Sequence, residues 1–251
     1  MVKEEGDVVE IMKLIREKLL DNSKEAVTIA FLGDSVTQGC FENYKTQSGS
    51  MDTIFDKNST YHSYFNRIFS LLYPSVPINI INAGISGGSA DHGLERLGRD
   101  VLRHQPDLTV VCFGLNDSGA GLSGIDAYTD ALISIFKQLK EAGSEVIFMT
   151  PNMMNNYVSV ELVDSDMKAV AENTQKTQNS GILEAYLEAA KEVCKANNVK
   201  VCDCYSKWKR LAENGVDTTK LLANKINHPI REMNWLFAVS LLDTVLDDIL
   251  R

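Results

Sequence analysis

Hydrophobic and polar positions along this chain follow two rhythms that alternate from end to end. Short, nearly unbroken apolar runs predict strands at 27–32, 78–82, 108–113, 145–150 and 199–202. Apolar residues spaced three and four apart, with charges between them, predict helices near 7–20, 61–72, 90–103, 125–142, 181–197 and 232–250. Strand and helix in alternation imply right-handed crossovers and a parallel sheet covered on both faces. The strands are apolar without a polar face, as doubly covered strands are. We therefore expect one α/β domain over 1–251, with residues 1–22 supplying an N-terminal helix packed on it. No internal repeat, low-complexity tract or Pro-, Gly- or Ser-rich linker interrupts the pattern.

Two polar stretches break the rhythm. Residues 40–60 follow the first strand and 151–180 follow the fourth, the latter with a short helix expected near 166–178. Connections of this length in a compact domain tend to be functional or mobile. Both belong at the C-terminal edge of the sheet, where we read them as walls of a substrate pocket.

Composition narrows the picture by exclusion. A net charge of −9 argues against nucleic acid as a partner, since affinity for a polyphosphate rests on Lys and Arg. Five cysteines, Cys40, Cys112, Cys194, Cys202 and Cys204, make an odd number in a chain too large to need staples, which is the usage of a reducing compartment. Cys202 and Cys204 have no second Cys or His pair at zinc spacing, and strand alternation would set both thiols on one core face. The N-terminal segment carries Val8, Ile11, Met12, Ile15 and Leu19 among charges, without the unbroken apolar core of a secretory signal. No run reaches membrane-spanning length. The expectation is a cytoplasmic protein with neither metal nor other cofactor.

Candidate chemistry lies at the strand ends. The run Ile29-Ala30-Phe31-Leu32-Gly33-Asp34-Ser35 stops abruptly in small and polar residues. In open α/β sheets ligands bind outside the carboxyl ends of the strands, so Ser35 is the first candidate nucleophile. Gly33-Asp34-Ser35 also reads simply as a strand-to-helix turn with a capping side chain. The second strand ends in Asn82-Ala83-Gly84-Ile85-Ser86-Gly87-Gly88-Ser89, a turn able to aim amide N–H groups at an anion. Its spacing is not that of a dinucleotide fingerprint. The third ends in Gly114-Leu115-Asn116-Asp117, which brings an amide side chain to the same rim. Of the four histidines, His62, His92 and His104 fall within or beside helical patterns and read as surface or capping residues. His228 stands in Asn224-Lys225-Ile226-Asn227-His228-Pro229 just before the last helix, where the following proline favours an extended backbone. A serine hydroxyl needs a base to take its proton, and imidazole suits that task near neutral pH.

Gly33-Asp34-Ser35, Gly87, Gly114-x-Asn116-Asp117 and Asn227-His228-Pro229 together resemble the four blocks of the SGNH hydrolases, the GDSL esterase and lipase family, in the correct order across 29–230. The resemblance implies a flavodoxin-like three-layer α/β/α sandwich with a five-stranded parallel sheet. It implies Ser35 as nucleophile, His228 as general base, and the N–H groups of Ser35 and Gly87 with the Asn116 amide as an oxyanion hole. The family usually carries an aspartate three residues before its histidine; here Lys225 occupies that position and cannot accept a bond from the ring. Asn224, Asn227 or a backbone carbonyl in the loop before His228 are the candidate substitutes, giving a Ser35–His228 dyad. The expected reaction is hydrolysis of small carboxylic esters with short acyl groups, among them acetyl groups on sugars, through an acyl-enzyme. A non-catalytic binding protein with a degenerate triad is the alternative. Apolar surface left over on the last helix would allow a homo-oligomer.

Overall fold

Each of the five apolar runs pairs with its neighbours in parallel, and together they make one sheet. In the computed structural model, which describes residues 10–246, the strands of this sheet are β1 (Val27–Gly33), β4 (Ile78–Gly84), β5 (Leu108–Cys112), β6 (Glu145–Met149) and β7 (Lys200–Cys202). They lie in the order β4-β1-β5-β6-β7, all parallel. Successive side chains of β1 serve opposite cores, Ile29 and Phe31 on one face, Ala30 and Leu32 on the other. Residues of both sets are fully buried, which is why the run reads as continuous rather than alternating.

Helices cover both faces. Helices α1 (Glu10–Leu20), α3 (Tyr61–Leu72), α9 (Cys204–Glu213) and α10 (Asn234–Val245) pack on the first, with Ile11, Phe65, Trp208 and Phe237 in its core. Helices α4 (Ala90–Glu95), α5 (Leu97–Asp100), α6 (Ile125–Glu141) and α8 (Ile182–Ala196) pack on the second through Leu97, Leu132, Phe136 and Tyr186. A four-residue helix, α2 (Ser35–Gln38), follows β1, and α7 (Ser165–Asn179) lies in the long connection after β6.

The structure departs from the sequence reading in several places. Residues 40–60 are not an unstructured loop but an antiparallel hairpin, β2 (Cys40–Lys45) and β3 (Met51–Phe55), separate from the main sheet. Only its first two residues, Cys40 and Phe41, are buried, too few to give an apolar strand pattern. The β4 strand is an edge, and its Asn79 and Asn82 are exposed. The expected helix at 90–103 is broken at Arg96 and again at Val101 into α4, α5 and a 3-10 turn. Helix α9 was absent from the prediction, because Trp208 is its main apolar anchor among lysines and arginines. Cys204 therefore starts a helix rather than continuing β7, although its Sγ lies 3.7 Å from that of Cys202 in the same core. His62 is a further correction: it is buried against Phe31, and its Nε2 meets the Thr37 carbonyl at 3.0 Å. Burial pushes it down to about 4, so it stays neutral. Residues 7–9 and 247–250 of the expected terminal helices lie outside the described residues. Among the described residues no helix is long and apolar enough to cross a membrane.

Candidate active site

Counted among the five sheet strands alone, the order is 2-1-3-4-5, whose topological switch falls between β1 and β5. Ser35 follows the carboxyl end of β1 and Asn116 that of β5, so both stand at this switch. The turn after β1 is built by Asp34, whose Oδ1 accepts the Val36 N–H at 2.9 Å and caps α2. The neighbouring turn must approach α2 closely. A side chain on Gly84 would come within 2.2 Å of the Gln38 backbone nitrogen, so only glycine fits there. Gln38 in turn accepts the Ser86 N–H on its Oε1 at 2.7 Å and locks the β4 turn to the serine turn. Gly87 adopts a φ of +74°, the left-handed conformation that glycine takes without strain.

Ser35 and His228 meet across 193 positions of sequence. Ser35 Oγ lies 3.0 Å from His228 Nε2, and both residues are buried. His228 Nδ1 lies 2.8 Å from the carbonyl oxygen of Phe41. A carbonyl only accepts, so Nδ1 carries the proton and Nε2 offers its lone pair to the serine hydroxyl. Burial holds His228 below the ordinary imidazole range, opposed by the Phe41 carbonyl and the Glu42 carboxylate. The imidazole is thus neutral at neutral pH, the form in which it can take a proton.

The orienting group differs from every one expected. It is a backbone carbonyl, but it comes from β2 and not from the loop before His228. Neither Asn224 nor Asn227 is the hydrogen-bond partner of a ring nitrogen. Asn224 Oδ1 instead accepts the backbone N–H groups of Ile226, Asn227 and His228 at 2.9–3.0 Å, and its Nδ2 donates to Asn227 Oδ1. Asn224 therefore shapes the turn that presents the histidine. Lys225 sits in this turn at a φ of +59°, with its ammonium 3.5 Å from Glu161. Fully buried Asn152 braces the loop further by donating to the Asn227 carbonyl at 2.8 Å.

On the opposite side, Asn116 donates one amide hydrogen to the Gly88 carbonyl at 2.8 Å. That bond ties the amide to the residue beside Gly87 and leaves its second hydrogen uncommitted among the described residues. Asp117 accepts the N–H of Gly114 and of Ala90, fastening the β5 turn to the start of α4. Asp34 is buried and Asp117, near it, is half-buried; desolvation is the main cause pushing Asp34 up to about 7 and raising Asp117. Arg96 faces them from α4's end, donating to the Gly33 and Ala83 carbonyls at 2.8 and 2.6 Å and so bridging the ends of β1 and β4.

Beside this site a cleft of about 550 Å³ opens between the two segments expected to form pocket walls. The hairpin contributes Glu42 to Lys45, the segment after β6 contributes Glu161 to Asp164 with Met167, and the histidine loop contributes Ala223 to Lys225. Lys45 spans the two walls to Asp164 and Asp166. Among the described residues no group of three His, Cys, Asp or Glu could hold a metal ion.

A serine and a neutral imidazole, set at the switch point of a parallel sheet beside backbone and amide N–H donors, have the layout of a serine hydrolase. The chain belongs to the GDSL-like lipase/acylhydrolase family, whose model matches residues 31–235. It is 26% identical over 132 residues to an acetylxylan esterase of Geobacillus stearothermophilus, a match covering 49% of this chain and 58% of that protein. It is 32% identical over 90 residues to an arylesterase of Vibrio mimicus, covering 35% of this chain and 44% of that one. The matches thus span about half the length of these curated relatives. The crystal structure of Axe2, an acetylxylan esterase from Geobacillus stearothermophilus, superposes with a TM-score of 0.63 at 18% identity, over 87% of this chain and 94% of that one, which establishes the shared fold.

The residues that sequence reasoning missed are Phe41, Gln38 and Asn152. Phe41 acts through its carbonyl, which no side-chain motif reports. The other two are amides that hold backbone, a role visible only once the strands are paired.

Proposed function

We propose that this protein is a serine carboxylic ester hydrolase that cleaves short acyl esters, acetyl groups on sugars among them, through an acyl-enzyme. The observation that carries the proposal is the contact between Ser35 Oγ and His228 Nε2. In the first step His228 takes the hydroxyl proton as Ser35 attacks the ester carbonyl. The tetrahedral oxyanion then lies toward the N–H groups of Ser35 and Gly87 and the free amide hydrogen of Asn116. Collapse expels the alcohol, which receives the proton from His228 Nε2. Water enters by the same route in reverse, with His228 as base, and releases the acid and the free serine.

With a carbonyl in place of the triad carboxylate, the histidine keeps its tautomer but loses part of the charge stabilisation of the imidazolium. The neighbouring cleft, whose walls mix Glu42, Asn43, Lys45 and Glu161 with Tyr44, Leu162, Val163 and Met167, suits an alcohol part with both polar groups and an apolar face, as a sugar ring has. The family membership and the acetylxylan esterase and arylesterase relatives agree with ester chemistry.

The test is a panel of 4-nitrophenyl esters from acetate to palmitate, run beside acetylated sugars. Turnover should be highest on the shortest chains and should vanish in Ser35→Ala. Full activity in that variant, or a preference for palmitate, would overturn the proposal.

A further inference from the structure

The group that orients His228 is carried by a hairpin of which only Cys40 and Phe41 are buried. Strands β2 and β3 form a separate two-stranded sheet, and an isolated hairpin is marginal in water. A carbonyl at its base must nevertheless stay 2.8 Å from an imidazole nitrogen. An arginine ties the hairpin's base directly to the segment that carries His228. Arg231, three residues beyond His228, makes a two-pronged pair with Glu42, the residue after Phe41, with Nη1–Oε1 2.6 Å and Nη2–Oε2 3.0 Å. Its Nε reaches Asp56 Oδ2, just past the end of β3, at 3.1 Å. The same guanidinium lies over the Phe41 ring, 4.3 Å from its centroid.

We infer that Arg231 and Glu42 are positioning residues that hold the Phe41 carbonyl on His228 Nδ1, and so do from outside the ring's contacts what a carboxylate does directly in a triad. The contacts are parallel. One strand supplies the carbonyl and the acid, one short segment supplies the imidazole and the base, and each pair fixes the distance of the other. Asp56 fastens the second end of the hairpin to the same guanidinium, so the hairpin cannot pivot about β2 alone. The Asp56 N–H also bonds to the Gly39 carbonyl, which closes the hairpin's base at the end of α2. A lysine would keep the charge but could not grip two carboxylates in a plane while covering an aromatic face.

The side chains are 32% and 40% exposed, so the pair adds little to global stability, as surface ion pairs do. A purely structural role would then leave little trace. A positioning role would appear in the chemical step, which makes the two separable.

The inference rests on the proposed hydrolase reading for its kinetic arm only. Arg231→Met keeps an unbranched side chain but removes the guanidinium, both its fork and its stacking on Phe41; Arg231→Lys restores the charge; Glu42→Gln tests the other partner. For each, kcat and KM on 4-nitrophenyl acetate and the downfield NMR resonance of the His228 Nδ1 proton, identified by its loss in His228→Asn, are measured. Arg231→Met should lower kcat between about 10- and 100-fold with KM nearly unchanged, as a small misplacement of a catalytic group does. Its Nδ1 resonance should broaden or disappear, and Arg231→Lys and Glu42→Gln should fall between it and the parent. A kcat within about twofold of the parent in Arg231→Met, with the resonance unchanged, would overturn the inference. A parent that hydrolyses no ester would sink the hydrolase reading, while the resonance alone would still decide whether the clamp positions the ring.

Discussion

The His228 ring is held at both nitrogens, Nε2 at 3.0 Å from Ser35 Oγ and Nδ1 at 2.8 Å from the Phe41 carbonyl. The acceptor for His228 Nδ1 is a main-chain oxygen, and since every residue carries one, no sequence motif marks it. Asn224 and Asn227 were reasonable substitutes for a missing acid, yet Asn224 spends its oxygen on three backbone N–H groups of the turn. Its replacement would therefore disturb the histidine through the loop rather than through the ring. Asn116 is held differently, by a bond to the Gly88 carbonyl that leaves its second amide hydrogen uncommitted among the described residues. Asn116→Ala should lower kcat by roughly 10²–10³ while leaving KM and the unfolding midpoint close to the parent, if its free N–H meets the oxyanion. Steady-state kinetics on a short acyl ester beside a denaturant titration checks this; unaltered kcat would reduce Asn116 to a turn residue.

Among the elements, those that bury a full face announced themselves. Helix α3 runs over Tyr61–Leu72 as expected, and α6 ends one residue short of its expected range, because tyrosines, phenylalanines and leucines recur on one side of each. The edge strand β4 was also found, on the strength of three isoleucines, although only its Ala83 is buried. What escaped notice were elements with few buried residues. The hairpin buries Cys40 and Phe41 alone, and much of its remaining length is charged or exposed. It is tied to the rest of the domain by Arg231 at its base and by the link from Lys45 to Asp164 and Asp166 near its tip. Such long-range charge pairs have no local signature. The hairpin and the segment after β6 still face each other across one cleft, because both leave the sheet at the same edge.

For the molecule as a whole, buried titratable groups near the switch point couple the site to stability. Asp34 titrates near 3.8 unfolded and is raised to about 7 when folded, first by burial, so its protonated form favours folding. That contribution is complete below pH 3.8 and is lost as pH rises through about 7. His62 acts in the opposite sense. Lowered from 6.5 to about 4 by burial, it favours folding above pH 6.5, and this is lost as pH falls through about 4. Asp34→Asn keeps an oxygen for the Val36 N–H and removes only the first effect. Between about pH 5 and pH 8 the parent should lose about 2–3 kcal/mol relative to this variant in chemical unfolding. Equal pH profiles for the two proteins would show that Asp34 is ionised in the folded state.

The whole account turns on Ser35 being an activated nucleophile, and covalent trapping measures that without choosing a substrate. A fluorophosphonate probe followed by peptide mass mapping should place one label per chain on Ser35, with labelling slowed by about 10² or more in His228→Ala. A parent whose Ser35 stays unlabelled, or is labelled at a rate indifferent to His228, would contradict it.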